Sequence, residues 1–211
     1  MAYVVGAVPA CKLVDTSAKL TAAIVGPLVD AGYEGVVRYL HLPGMPGTWD
    51  IDPVELQALL DGGLGLMLVQ HVRYPGWDPA KCSGAEDAGT AIASAKVAGY
   101  LAGAHIFVDL EGISGSGDAT TQYAADWAAA VVAAGYKAGC YVGYSVPLTP
   151  AQLYALENID SYWSDAGPRS VATRGFAIKQ RAEMHLGGIP FDPDDVAPDL
   201  LGDTPMWMIA Q

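Results

Sequence analysis

Positive charge is scarce in this chain. Its 211 residues hold 11 Lys and Arg against 23 Asp and Glu, a formal net charge of −12. A surface of that sign repels nucleic-acid phosphates and anionic membranes, and no Lys/Arg run offers a local exception. Cysteine is scarcer still. Cys11, Cys82 and Cys140 form an odd set with no C-x-x-C pair, which argues against a disulfide framework or a thiolate zinc site. Cys11 and Cys140 lie in or beside apolar runs and read as small core residues. His41, His71, His105 and His185 show no H-E-x-x-H or paired spacing, so no metal or other cofactor is expected. No run approaches the roughly 18 apolar residues of a membrane span. The opening MAYVVGAVPA lacks a basic start and is too short for a signal peptide. A partner protein or a larger assembly is therefore expected to supply the export route.

What is there in quantity is hydrophobic. Apolar residues make up 52% of the chain, enough for a large core and too many for disorder. The 25 Gly and 14 Pro are spread along the chain, which implies many turns and no low-complexity tract. Four segments resemble one another: LVDAGYEGVVRYL (28–40), LLDGGLGLMLVQHV (59–72), VAGYLAGAHIFVDLE (97–111) and VVAAGYKAGCYVGYS (131–145). Each closes an Ala/Leu-rich helical pattern near a glycine, turns, and enters an apolar run. Glycine suits the left-handed position just past a helix. From Gly32 through Gly63 and Gly99 to Gly135 the spacing is 31, 36 and 36 residues. Helix–turn–strand at that period predicts βαβ units and a parallel sheet. The strand runs lack polar alternation, as parallel strands covered on both faces should.

Further strands are expected at 12–17, 161–167 and 175–180, with the eighth at either 188–196 or 205–211. Helices are expected at 18–31, 53–61, 86–98, 119–134 and 150–157. Asp52 before Pro53 and Thr149 before Pro150 read as N-caps. The sum is a single α/β domain over 1–211. It is a (β/α)8 TIM-like barrel, irregular at its last strands, with a doubly wound open sheet as the alternative.

The run HIFVDLEG carries the chemistry. Side chains two apart on a strand share a face, so Asp109 and Glu111 point together from backbones about 6.5–7 Å apart. Parallel barrels keep their active sites at the C-terminal strand ends. Other candidates end other strands: Asp15 in LVDTS, Asp165 in YWSDAG, Gln180 in AIKQ and Asp192 in PFDPDD. Aromatics share these ends, Tyr39, Tyr74, Tyr141, Tyr144 and Trp163 among them, and His71 ends another strand. Rings beside carboxylates suit a sugar, which offers a C–H face and hydroxyls. Crowded carboxylates raise one another's pKa, so that one stays protonated and serves as an acid, as glycoside hydrolysis requires. Plainer readings exist. Asp15 could cap the next helix. Asp192, Asp194 and Asp195 could form a solvated loop or a weak calcium site. GISGSG lacks the Lys of a phosphate loop and reads as a flexible loop.

In order along the chain stand an Asp on strand one, VVRYL, GLGLMLVQHV, VDLEG, CYVGYS and a late Gln … Asp. This order resembles the glycoside-hydrolase-like family called domain of unknown function 1906, related to the family 25 glycoside hydrolases, the muramidases of phages, bacteria and fungi. The likeness spans roughly residues 11–197. It implies a (β/α)8-like barrel acting on the N-acetylmuramyl–N-acetylglucosamine backbone of peptidoglycan. It implies Glu111 as general acid, Asp109 as stabiliser of the intermediate, Asp15 and Asp192 as the other catalytic acids, and Tyr144 and Trp163 as sugar-stacking rings. Tyr39, His71, Asp165 and Gln180 complete the expected substrate contacts. The chain keeps Gln180 where the muramidases carry Trp-Gln-Tyr. The expected partner is a cell-wall polysaccharide, met after release or as part of a phage particle. The alternatives are a non-catalytic glycan-binding or virion structural protein on a degenerate hydrolase barrel, and a metal-dependent hydrolase.

Overall fold

The structure, a computed structural model, describes residues 1–45, 47 and 50–211. In chain order it contains β1 (Ala2–Gly6), β2 (Lys12–Asp15), α1 (Ala22–Asp30), β3 (Gly35–Leu40), α2 (Pro53–Asp61) and β4 (Gly65–Gln70). There follow α3 (Gly84–Ala98), β5 (His105–Leu110), α4 (Gly117–Ala133), β6 (Lys137–Val142), α5 (Pro150–Tyr154) and β7 (Ile159–Ser164). The last elements are strands: β8 (Ile178–Gln180), β9 (Met184–Leu186), β10 (Ile189–Val196) and β11 (Met206–Ala210).

Eight strands close a barrel. β2 to β8 run parallel, each beside the next, with β4 against β5 completing the ring. β10 fills the last place, antiparallel to both β8 and β2, with Asp192 opposite Asp15 and Asp194 opposite Gln180. The reason lies in connection length. A parallel crossover needs a dozen or more residues. Only residues 181–188 separate β8 from β10, and β9 spends three of them in a hairpin. The chain therefore turns at the barrel mouth and runs back down. So 188–196 supplies the eighth strand, and 205–211 does not. No α-helix separates β7 from β8 or β8 from β10, which departs from a regular (β/α)8 barrel. β1, which the sequence did not signal, pairs with β11 at the opposite end, and β11 touches β4 at Met208.

The helices start where their caps stand. Asp52 accepts from the Glu55 amide, Ser83 from Glu86, Ser116 from Ala119, and Thr149 forms a reciprocal box with Gln152. Gly32, Gly63, Gly99 and Gly135 all hold φ between +84° and +89° at the helix-to-strand turns, so the repeated glycine meets a left-handed position each time. The expected 18–31 helix begins only at Ala22, with Thr21 at the N-cap position but making no side-chain cap hydrogen bond.

Alternation along each strand separates two cores. Val36, Leu66, Ile106 and Val108 face the helices, while Leu13, Val37, Met67, Phe107, Trp163 and Ile178 fill the barrel. Trp207 of β11 plugs the floor. A Cβ at Gly65 would fall 2.4 Å from its ring, so that strand must start with glycine to admit it. Outside the barrel, fully buried Arg38 of β3 donates to Glu55 of α2 at 2.7 Å and to the Thr16 carbonyl. Glu55 also accepts the Leu20 amide at 2.8 Å. This pair ties down the segment that follows Asp15.

Candidate active site

At the mouth, the parity that sends Phe107 inward also sends Asp109 and Glu111 inward. A cavity of about 210 Å³ opens there, lined by Tyr39, Asp109, Glu111, Tyr141, Trp163, Gln180 and Asp192. Asp15, buried beside it, accepts from Tyr39 Oη at 2.9 Å and from Gln180 Nε2 at 3.1 Å. Gln180 Nε2 also donates to Asp192 at 2.9 Å, and its Oε1 accepts from Tyr141 Oη at 2.9 Å. Below them Trp163 Nε1 donates to Asp194 at 2.7 Å. The expected Asp15 helix cap does not form, because Thr21 occupies that position.

Each acid is held above its ordinary range. Burial, then Asp192, pushes Asp15 up to about 7. Burial, then Glu111 and Asp15, raises Asp109 strongly. Burial and Asp165 raise Glu111, and Arg169 pulls it partly back. Burial and Glu183 raise Asp192. Burial and Asp15 raise Asp194 strongly. Such a cluster keeps protons on carboxyl groups near neutral pH, and the protons belong to the group rather than to one residue. Among the described residues, no three His, Cys, Asp or Glu side chains are arranged to hold a metal ion. The neutral side-chain donors of the lining are spent: Tyr39 on Asp15, Tyr141 on Gln180, Gln180 on two aspartates, and Trp163 on Asp194. The side-chain protons left to offer a ligand are those of the carboxyls.

Glu111 is fixed from both sides. Trp77 Nε1 donates to its carbonyl at 2.8 Å. A Cβ on Gly143 would fall 2.5 Å from its Oε2, so the glycine after β6 leaves room for this carboxyl. The GISGSG loop, expected to be flexible, is tied down. Ser114 Oγ donates to the Gly76 carbonyl at 2.6 Å, Gly76 N to the Gly112 carbonyl at 2.7 Å, and Ser116 caps α4.

Three expected contacts lie outside the cavity. His71 lines a neighbouring cleft of about 510 Å³ with Asp50, 3.2 Å away, and reaches the site only by packing on the Tyr39 ring at 4.6 Å. Tyr144 stands on the rim, 45% exposed. Asp165 pairs with Arg169 at 3.1 Å and acts on Glu111 only through its field. Trp163 is in place but 1% exposed, edge-on to Tyr141 and Phe107, so no ring face is open for stacking on sugar. The solvated-loop and calcium readings of the late acids fail. Asp192 and Asp194 are inward residues of β10, and Asp195 faces out to Arg181. Sequence reasoning placed Asp194 only in a solvated loop or a weak calcium site, although it stands two residues from Asp192 as Glu111 does from Asp109. Tyr141 was read as one of the strand-end aromatics, and the cavity lining includes it. Gly143 was missed, because only the neighbouring strand's Glu111 makes it matter.

A model of the Rv2525c-like, glycoside hydrolase-like domain matches residues 27–187. The chain belongs to this family. The match includes Tyr39, Asp109, Glu111, Tyr141 and Gln180, and stops short of Asp15, Asp192 and Asp194. This Rv2525c-like domain shares its fold with the Tat-secreted protein Rv2525c of Mycobacterium tuberculosis, at TM-score 0.66, 17% identity, 92% of this chain and 98% of that one. It also resembles the modular autolysin LytC of Streptococcus pneumoniae, at TM-score 0.64, 16% identity, 90% of this chain and 47% of that one. The catalytic domain of endolysin ply40 from the Listeria monocytogenes phage P40 follows, at TM-score 0.58, 14% identity, 91% and 95%. No functionally curated protein matches the sequence.

Proposed function

We propose that this Rv2525c-like domain is a glycoside hydrolase of bacterial cell-wall peptidoglycan, with Glu111 as general acid. The observation that carries the reading is the lining itself: carboxyl groups crowd one small cavity, and the neutral side-chain donors around it are already engaged. Glu111 is raised by burial and Asp165, so it keeps a proton to give to the glycosidic oxygen as that bond breaks. Asp109, beside it and deeper, takes up the positive charge that develops on the sugar ring or its N-acetyl group. Asp15 and Asp192 add negative potential and hold Gln180 between them. Fold neighbours supply the substrate class: LytC has been solved with a synthetic peptidoglycan ligand and the Cpl-1 endolysin with a peptidoglycan analogue. The mycobacterial relative is Tat-secreted, and action at the wall, outside the cytoplasm, fits such a substrate.

The test is release of reducing sugar from purified peptidoglycan by the wild type and by Glu111→Gln. The amide keeps the shape and cannot give a proton. The expected loss is about 10²–10⁴-fold with the fold unchanged. A family match that leaves out Asp15 and Asp192 leaves room for a second reading, a glycan-binding descendant without turnover. Equal pull-down of peptidoglycan by both proteins, with no sugar released by either, would establish it.

A further inference from the structure

Asp194 has no part in the chemistry above, yet it is 1% exposed and lies under the reacting groups. Its Oδ1 accepts from Trp163 Nε1. Its Oδ2 is buried and meets no N–H or O–H donor. A carboxylate oxygen left bare in a barrel interior is heavily penalised. The group against it is another acid, Asp15. The titratable groups around the pair are Asp192 on the same strand, Tyr39 on β3, Asp109 on β5 and Tyr141 on β6. None is cationic. Two acids in contact without a cation hold one proton between them. Asp15 has two neutral donors to stabilise its charge, Tyr39 and Gln180, while Asp194 has only the indole.

We propose that Asp194 is a neutral carboxylic acid whose Oδ2–H donates to Asp15, and that it is a positioning residue for the pocket above. It sets the direction of a hydrogen-bond chain. Trp163 donates to Asp194, Asp194 to Asp15, and Tyr39 and Gln180 also to Asp15, while Tyr141 donates to Gln180. The hydroxyl protons of Tyr39 and Tyr141 are committed to Asp15 and Gln180, so the phenol oxygens turn lone pairs toward the cavity beside the carboxyls. Resting on the reading of this cavity as a sugar site, the ligand class follows: a hydroxyl- and amide-rich neutral sugar, or the cation it becomes, with anionic groups rejected.

The experiment compares wild type, Asp194→Asn and Asp194→Leu by urea unfolding at pH 5 and pH 8 and by pull-down with purified peptidoglycan. The Asn amide can donate to Asp15 and accept from Trp163 without titrating. Wild-type stability is expected to fall from pH 5 to pH 8. Asp194→Asn should flatten that fall, exceed the wild type at pH 8 and keep wall binding. Asp194→Leu should lose binding at least tenfold even at pH 5. An Asn variant as pH-sensitive as the wild type, or weaker at pH 8, overturns the proposal by showing Asp194 ionised. Should Asp194→Leu not fold, the Asn comparison decides alone. Should the wild type neither bind nor cleave peptidoglycan, the functional reading fails while the unfolding data still settle the proton.

Discussion

Two buried clusters of charged groups sit on opposite faces of the same sheet. Outside the barrel, Arg38 and Glu55 meet at 2.7 Å and are further bonded to the Thr16 carbonyl and the Leu20 amide. Inside, Asp15, Asp109, Asp192 and Asp194 gather with no cation, and every one is raised above its usual range. Both are expensive to bury. The outer one is compensated partner by partner and holds the backbone beside Asp15 in place. The inner one stores like-charge repulsion at the proposed site. That contrast fits the proposal: stability is given up at the mouth and recovered in the wall.

The largest effect should come from breaking the compensated cluster. Arg38→Met leaves the buried Glu55 carboxylate with only the Leu20 amide at 2.8 Å and Lys19 at 3.4 Å, and should cost about 3–5 kcal/mol in urea unfolding. A smaller loss would mean that Glu55 simply takes up a proton. Gly143→Ala attacks the other cluster by geometry. The new Cβ displaces the Glu111 carboxyl, and a shift of about 1 Å should reduce sugar release about 100-fold, with circular dichroism unchanged. Unimpaired turnover would remove Glu111 from the reaction.

pH sharpens the comparison further. Asp15 titrates at about 7 when folded, against an ordinary value of 3.8. Below pH 4 its contribution to stability is complete, and it drains away as pH rises to 7, by up to about 1.4 kcal/mol per pH unit for one such group. Asp160 runs the other way. His105 and Lys137 outweigh its burial and hold it at about 2, so its contribution is lost only as pH falls from 4 toward 2. Thermal unfolding should therefore peak near pH 4–5, and Tm should be lower at pH 8. A Tm that climbs steadily to pH 8 would contradict the uncompensated cluster. The smallest effect on stability is expected from Asp109→Asn. It should stabilise the protein at pH 8 by about 1 kcal/mol while abolishing sugar release, and a destabilised variant would mean that the Asp109 carboxylate is ionised and stabilising.

The repeat of helix, glycine and apolar strand was legible because it is local. Capping, left-handed turns and strand alternation each act within a few residues, so five helices and the parallel strands β2 to β7 could be read in order, along with the inward parity of Asp109 and Glu111. The end of the chain was not legible. Whether IPFDPDDV or PMWMIA closed the barrel depended on which segment could reach between β8 and β2, and that is decided by connection length and closure. Because β10 came back antiparallel, Asp194 slid beneath Asp15. Trp163 was expected as a platform and is instead buried by Phe107 and Tyr141. Gly143 became necessary only because a neighbouring strand's Glu111 folds over it. The sequence by itself determined the helix–turn–strand repeat and the shared inward face of Asp109 and Glu111, since pleat and cap are properties of a short stretch of chain. Only the tertiary structure decided which of those ends meet and which carboxyl lies deepest, since desolvation and mutual repulsion exist only after the barrel has closed.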